Sequence, residues 1–421
     1  MLEQNKNSKP SIRVASTASG IAIVAGTAVG AGMFSLPIVS AGMGFPLALA
    51  CLLISWFCML NSGLLILEVN LHFPVGSSFN TFVGQTLGPR WNLLNNISLV
   101  FVLYILSYAF ISGGGSIVSH SLAKASGLEV STTIAGLLFS LTVATVVWAS
   151  TELVGRVSAI LIGGMLLSFT FSVSQLSLGI KPSLLFDSKA EYFPYTLAAL
   201  PVYLTAFGFH GNIPSLVKYY GKDPATIVRC IVWGSVVALL VYIVWQATTL
   251  GQLSRAEMSV VIGQGGNIGP MVEAISTRSE HSSVLFMLEL FANFAVITSF
   301  VGAGLGLFDY MADRFDFDDT RTGRFKAALV TFLPPTLASL AFPNGFIYAI
   351  GYAGLTATIW GTLVPAKAAY VSRIKFNKPP SDRPAFRVWG GNTLLVFMAI
   401  YGISIGVFQL LNMAGCLPVF S

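Results

Sequence analysis

The chain has 421 residues, of which 54% are hydrophobic and 10% charged, with a formal net charge of +6. Soluble domains carry roughly 25% charged residues, so a mostly water-facing surface is excluded, and the mean hydropathy of +0.77 agrees. The basic residues are scattered between apolar runs and form no stripe, which excludes a nucleic-acid face. Cys51, Cys58, Cys230 and Cys416 form no C-x-x-C pair for a metal or disulfide framework.

Apolar runs of about 20 residues recur along the whole chain, each long enough to cross a hydrocarbon core of roughly 30 Å. The reading is an all-α polytopic membrane protein with eleven expected spans: 14–41, 44–70, 92–119, 132–149, 154–178, 193–217, 226–251, 283–311, 325–342, 345–366 and 392–414. A tail, 1–13, precedes two five-span blocks, 14–178 and 193–366. A basic loop, 367–391, and the last span, 392–414, follow. The first run is longer than a signal-peptide core and lacks an A-x-A site, so it is expected to be retained. Spans nine and ten are parted only by the turn tripeptide Pro343-Asn344-Gly345. With the N-terminus placed in the cytoplasm, of the 23 Lys and Arg only Lys124, Lys181, Lys189, Arg255 and Arg278 fall outside. The positive-inside bias thus predicts N-terminus in and C-terminus out.

Two spans are interrupted at mid-depth. The first holds Gly26-Thr27-Ala28-Val29-Gly30-Ala31-Gly32-Met33-Phe34 and then Pro37. The sixth holds Phe207-Gly208-Phe209-His210-Gly211-Asn212-Ile213-Pro214. Glycine costs about 1 kcal/mol and proline about 3 inside a helix, so both segments are poised to unwind. Non-helical backbone at membrane depth persists where it lines a cavity or is buried in protein. Small-residue spacing such as Gly26 to Gly30 also serves close helix packing, which is the competing reading. Breaks at ordinals one and six fit an inverted five-plus-five repeat whose broken helices meet at the midplane. Half-helix N-termini there favour an anionic group and freed carbonyls a cation, as suits a zwitterionic amino acid.

Several strings carry a resemblance: Gly30-Ala31-Gly32-Met33-Phe34-Ser35-Leu36-Pro37, Trp56-Phe57-Cys58-Met59-Leu60, Phe101-Val102-Leu103-Tyr104-Ile105-Leu106 and Gly208-Phe209-His210-Gly211-Asn212. Further along come Lys218-Tyr219-Tyr220-Gly221-Lys222-Asp223-Pro224, Gly306-Leu307-Phe308-Asp309-Tyr310 and the run from Phe342 to Gly354. With them the chain resembles the bacterial hydroxy/aromatic amino acid permease family, and within it the tryptophan-specific permeases. The resemblance implies the LeuT-like 5+5 inverted repeat with an eleventh span after it. It also implies proton-driven uptake of tryptophan, or of a related aromatic amino acid such as tyrosine, across the bacterial inner membrane.

Candidate residues follow. The backbone of Ala31, Gly32 and Met33 is expected at the substrate carboxylate, and carbonyls around Phe207–Gly211 at the ammonium. Tyr104 and Tyr108 share one face of the third span, and a third-span tyrosine reaches the carboxylate in LeuT-like carriers. An indole needs an apolar slot and one acceptor, for which Phe34, Phe207, Phe209 and Phe294, with Asn293 or Asn212, are candidates. Ionisable groups at membrane depth are functional candidates because their charge is costly there. Glu68 and His210 are the expected proton carriers, with Glu289 ranked below them. Thr298 and Ser299 are adjacent hydroxyls where sodium-coupled relatives in the superfamily complete an oxygen cage, so sodium is the rival coupling ion. No cofactor, metal or obligate protein partner is expected beyond the lipid bilayer. An enzyme is not expected either: the chain holds no G-x-S-x-G, Walker loop or His/Cys cluster.

Overall fold

The computed structural model describes residues 16–127, 129–278, 282–376 and 386–420. The expected tail 1–13 and the middle of the basic loop 367–391 lie outside the described residues. Within them the ordered elements are helical: α1 (Thr17–Ala28), α2 (Gly32–Ser40), α3 (Gly44–Asn70), α4 (Phe79–Leu87), α5 (Pro89–Ser126), α6 (Thr132–Ala149), α7 (Thr151–Leu176), α8 (Pro182–Leu185) and α9 (Pro194–Ala206). There follow α10 (Ile213–Tyr220), α11 (Pro224–Leu250), α12 (Arg255–Gly263), α13 (Ile268–Ser276), α14 (Ser282–Arg314), α15 (Arg321–Ala341), α16 (Phe346–Thr358), α17 (Val364–Lys375) and α18 (Gly391–Met413).

Eight helices among the described residues are long and apolar enough to cross a membrane, or nine with α1 and α2 taken as one bent span. Two of the eleven expected spans fall short of that standard. The expected 193–217 divides into α9 and α10, of 13 and 8 residues, around a non-helical stretch. The expected 325–342 lies on α15, which begins with Arg321, Arg324 and Lys326 and holds Pro334-Pro335 at its middle. The tenth expected span runs further than predicted, through a π-helical turn at Ile359–Leu363 and on to Lys375.

Proline inside a helix removes the N–H that would bond the carbonyl four residues back. Three such carbonyls are taken up by side chains of other helices. Pro37 frees Met33 O, which accepts from Trp245 Nε1 at 3.2 Å. Pro334 frees Val330 O, which accepts from the Tyr104 hydroxyl at 2.8 Å. Pro365 frees Gly361 O in the π turn, and Ser62 Oγ donates to it. Sequence kinks thus become specific contacts between helices, because an unpaired polar group costs more in a dry interior than in water.

The bundle is organised around α11 and α14. Helix α1 lies along α11, α14 packs on α7 and α5, α16 on α5 and α9, and α18 sits outside α16 and α9. The N-terminus of α11 is fixed by Asp223, which accepts from the Thr226 hydroxyl at 2.7 Å and from the Ala225 and Thr226 N–H groups. The Thr226 hydroxyl bond first, then these N–H bonds, holds the Asp223 carboxyl below the usual carboxylate range. At the opposite end of the bundle, the Arg255 guanidinium lies 3.8 Å from the Tyr192 ring centre and 4.5 Å from that of Phe420. It also donates to Gly42 O, beyond the end of α2. Aromatic rings and a cation are thus packed together at that end.

Candidate functional site

The first expected break is present. Helix α1 ends at Ala28, α2 begins at Gly32, and the axis turns by 51° between them. Glycine is required at position 30, where a Cβ would collide with Ser299 Oγ. At Gly26 and Gly32 a Cβ would meet no atom within 4 Å, so these two border open space. In α2 every residue but Gly32 and Val39 is buried, whereas in α1 only Gly20, Val24, Ala25 and Ala28 are. Exposure along the first span is therefore greater on the α1 side of the break than on the α2 side. Of the three backbone positions expected to hold an anion, Ala31 N–H already donates to Ser299 Oγ at 2.9 Å and Met33 N–H to Gly30 O at 3.0 Å. The Gly32 N–H, at the N-terminus of α2, bonds no described residue.

The second break follows Ala206. Phe207 leaves the helical region, His210–Asn212 form one 3-10 turn, and α10 starts at Ile213. Gly211 is exposed, with no atom within 4 Å of a Cβ. The two breaks meet at one fully buried side chain: the Tyr242 hydroxyl is 2.6 Å from Ala28 O and 2.6 Å from Ala206 O. The last carbonyls of α1 and α9 thus lie within twice that distance of each other. The Tyr242 ring also packs edge-on against Phe207, centres 5.1 Å apart.

Asn212 joins the breaks as well. Thr27 Oγ1 spends its single proton on Ile23 O at 2.7 Å, so it accepts from Asn212 Nδ2. That fixes the amide and leaves Asn212 Oδ1 as an acceptor with no donor among the described residues. Beside the first break, buried Phe34, Trp245 and Phe291 form an aromatic group with half-buried Phe169, ring centres 5.0 to 6.5 Å apart. Phe34 therefore fills the floor under the break in this conformation.

The structure takes other predicted residues elsewhere. Tyr104 and Tyr108 point away from the breaks, donating to Val330 O and Phe342 O at 2.8 Å each. Asn293 donates to Ser121 Oγ and Glu289 O. Phe294 packs on Gly164 of α7. At 100° per residue, 293 and 294 lie on faces of α14 other than that of Ser299. Thr298 turns its hydroxyl to Phe294 O and Ala295 O of its own helix, so of the two hydroxyls Ser299 is the one that reaches the break. Phe209 packs on Gly63 of α3 and stacks on His210, away from Phe207. Glu289 pairs with Lys124 at 2.8 Å, with His120 at 3.7 Å.

The tryptophan/tyrosine permease family matches residues 13–409. The chain belongs to that family. It is 49% identical to the tryptophan-specific transport protein of Pseudomonas aeruginosa (strain UCBPP-PA14), over 95% of this chain and 96% of that one. It is 42% identical to the low affinity tryptophan permease of Escherichia coli (strain K12) over 95% and 97%. The tyrosine permease of Enterobacter agglomerans is also 42% identical, over 96% and 97%. The protein is a multi-pass membrane permease and not an enzyme.

The permease holds its two expected proton carriers in contrasting surroundings. His210 is fully buried, stacked on Phe209 at 4.8 Å and edge-on to Trp360 of the π turn at 5.9 Å. Neither ring nitrogen makes a well-formed hydrogen bond among the described residues, although the Met59 backbone lies within polar reach. Glu68 is instead committed to structure. Its carboxylate takes a two-pronged bond from Arg373 at 2.6 and 2.8 Å and a third from Val388 N–H at 2.8 Å, tying α3 to α17 and the segment before α18. Arg373 and Glu68 are 9% and 2% exposed, and removing one partner of a buried pair strands the other, at about 3–5 kcal/mol. Glu68→Gln is therefore expected to lower the melting temperature and the yield of folded permease. A Glu68→Gln protein that melts like the wild type and loses only its response to a pH gradient would return Glu68 to the coupling role.

Sequence reading missed Tyr242, Trp245, Phe169 and Phe291 because an aromatic ring within a hydrophobic span carries no signal of its own. The available signal was Gln246, a polar residue one turn beyond Tyr242 and about one turn before the end of the same helix.

Proposed function

We propose that this permease imports tryptophan by proton symport, alternating access around the two breaks. The observation that carries the reading is the meeting of both unwound segments at Tyr242, beside the open space that Gly26, Gly32 and Gly211 border. A zwitterion fits there by charge: the carboxylate at the Gly32 N–H and the α2 N-terminus, the ammonium at the Ala28 and Ala206 carbonyls. The indole would lie against Phe207 with its N–H toward Asn212 Oδ1. The tryptophan-specific relative is the more similar of those compared, which supports tryptophan over tyrosine.

In the same reading α1–α7 and α9–α17 are the two halves of a LeuT-like inverted repeat and α18 is the eleventh span. The positive-inside bias puts the more exposed α1 end in the cytoplasm, so in this reading the site faces inward. Sodium remains the second reading because Ser299 does reach the first break. The test is labelled tryptophan accumulation in sodium-free proteoliposomes under an inward proton gradient, with the common amino acids as competitors. Accumulation blocked best by unlabelled tryptophan is expected. Uptake that needs sodium and ignores the gradient selects the second reading, and best competition by tyrosine corrects the substrate.

A further inference from the structure

Helix α11 grips both broken spans through three side chains within one turn and a half, and proton counting separates them. Trp245 Nε1 donates to Met33 O, one donor for one acceptor. Gln246 Nε2 donates to the Tyr203 hydroxyl at 2.8 Å, and Tyr203 lies 2.5 Å from Ser40 Oγ. Ser40 in turn donates to Leu36 O. That chain is directed without ambiguity: Ser40 has spent its proton, so Tyr203 donates to Ser40 and accepts from Gln246.

At Tyr242 the count does not close. A phenol has one proton, yet two carbonyl oxygens lie at the same 2.6 Å from it. No backbone N–H among the described residues bonds either Ala28 O or Ala206 O, because each is the last carbonyl of a helix whose continuation has unwound. Both carry the partial negative charge of a helix C-terminus. The pair lacks one donor and favours a positive one.

We propose that Tyr242 is a positioning residue for the substrate ammonium: its hydroxyl satisfies one of the two carbonyls and holds the other at the spacing an ammonium needs. This rests on the reading that the breaks bind a zwitterion, and it adds a residue that makes the site selective for the amine. An ammonium has three donors, so it takes the carbonyl the phenol leaves and can relieve it of the other. Because Ala28 belongs to one broken span and Ala206 to the other, a ligand bound there engages both halves at once. An analogue without the amine leaves the pair one donor short and forgoes that link.

The test uses purified full-length permease, labelled tryptophan, and indole-3-propionate as the competitor that keeps the ring and carboxylate but lacks the ammonium. Wild type is expected to prefer tryptophan. Tyr242→Phe keeps the ring against Phe207, and it is expected to weaken tryptophan binding about tenfold while leaving indole-3-propionate within about twofold. Equal losses for both ligands would make Tyr242 a packing residue and overturn the proposal. An unchanged ratio would also overturn it, and Gly32→Val measured alongside then shows whether the breaks still bind substrate. Equal binding of both ligands by the wild type would sink the zwitterion reading itself. If Tyr242→Phe does not fold, Tyr242→His retains a ring and one donor at shorter reach. A narrowing of the preference by about threefold is expected there, and no narrowing overturns the proposal.

Discussion

Gly32→Val is expected to abolish tryptophan uptake while the folded permease persists. A Cβ at Gly32 meets no atom within 4 Å, so the added side chain enters open space and not a packed interface. Valine at the first position of a short helix costs roughly 0.5 kcal/mol in propensity, too little to unfold the bundle. What it obstructs is the open Gly32 N–H at the N-terminus of α2. Loss of a hydrogen bond to a charged carboxylate amounts to about 1.5–3 kcal/mol, or on the order of 10- to 100-fold in affinity. Binding to purified protein and its melting temperature read the two effects separately. Gly30→Val is the contrast: its side chain would collide with Ser299 Oγ and disturb the bond from Ala31 N–H, so folded protein itself is expected to fall. Normal tryptophan binding by Gly32→Val would reduce the first break to a packing device.

Replacement of His210 is the second large effect. The ring is fully buried between Phe209 and the π turn, with no counter-ion beside it among the described residues, so an imidazolium would be costly in this conformation. A carrier that binds a proton on one side and releases it on the other needs such a contrast between states. His210→Phe keeps an aromatic ring in the slot and removes the titratable group. It is expected to lose accumulation driven by an inward pH gradient, while exchange of labelled for unlabelled tryptophan across equilibrated vesicles continues. Full gradient-driven accumulation in His210→Phe would clear the histidine of coupling. Collapse of uptake in Thr298→Ala and Ser299→Ala, with a sodium requirement, would move coupling to the first break and Ser299.

The amino-acid sequence by itself determined the membrane class, most span positions and the two breaks. All three depend on local composition: hydrophobic length sets a span, and clustered glycine with a following proline sets where it unwinds. The spans 44–70 and 132–149 coincide with α3 and α6 to the residue, because Gly44 and the Ser131 cap mark their starts in the chain itself. Only the tertiary structure decided what the polar side chains do. Tyr104 looked like a site residue because the resemblance implies a third-span tyrosine at the substrate carboxylate, and Glu68 because a carboxyl inside an apolar run is costly and needs a partner. Their partners, Val330 O and Arg373, lie 226 and 305 residues away. The converse holds for Tyr242, whose run gives no hint of interruption; it became central because two carbonyls freed 178 residues apart both come to rest on its hydroxyl. Local sequence decides where backbone groups are set free, and packing decides which distant side chain takes them.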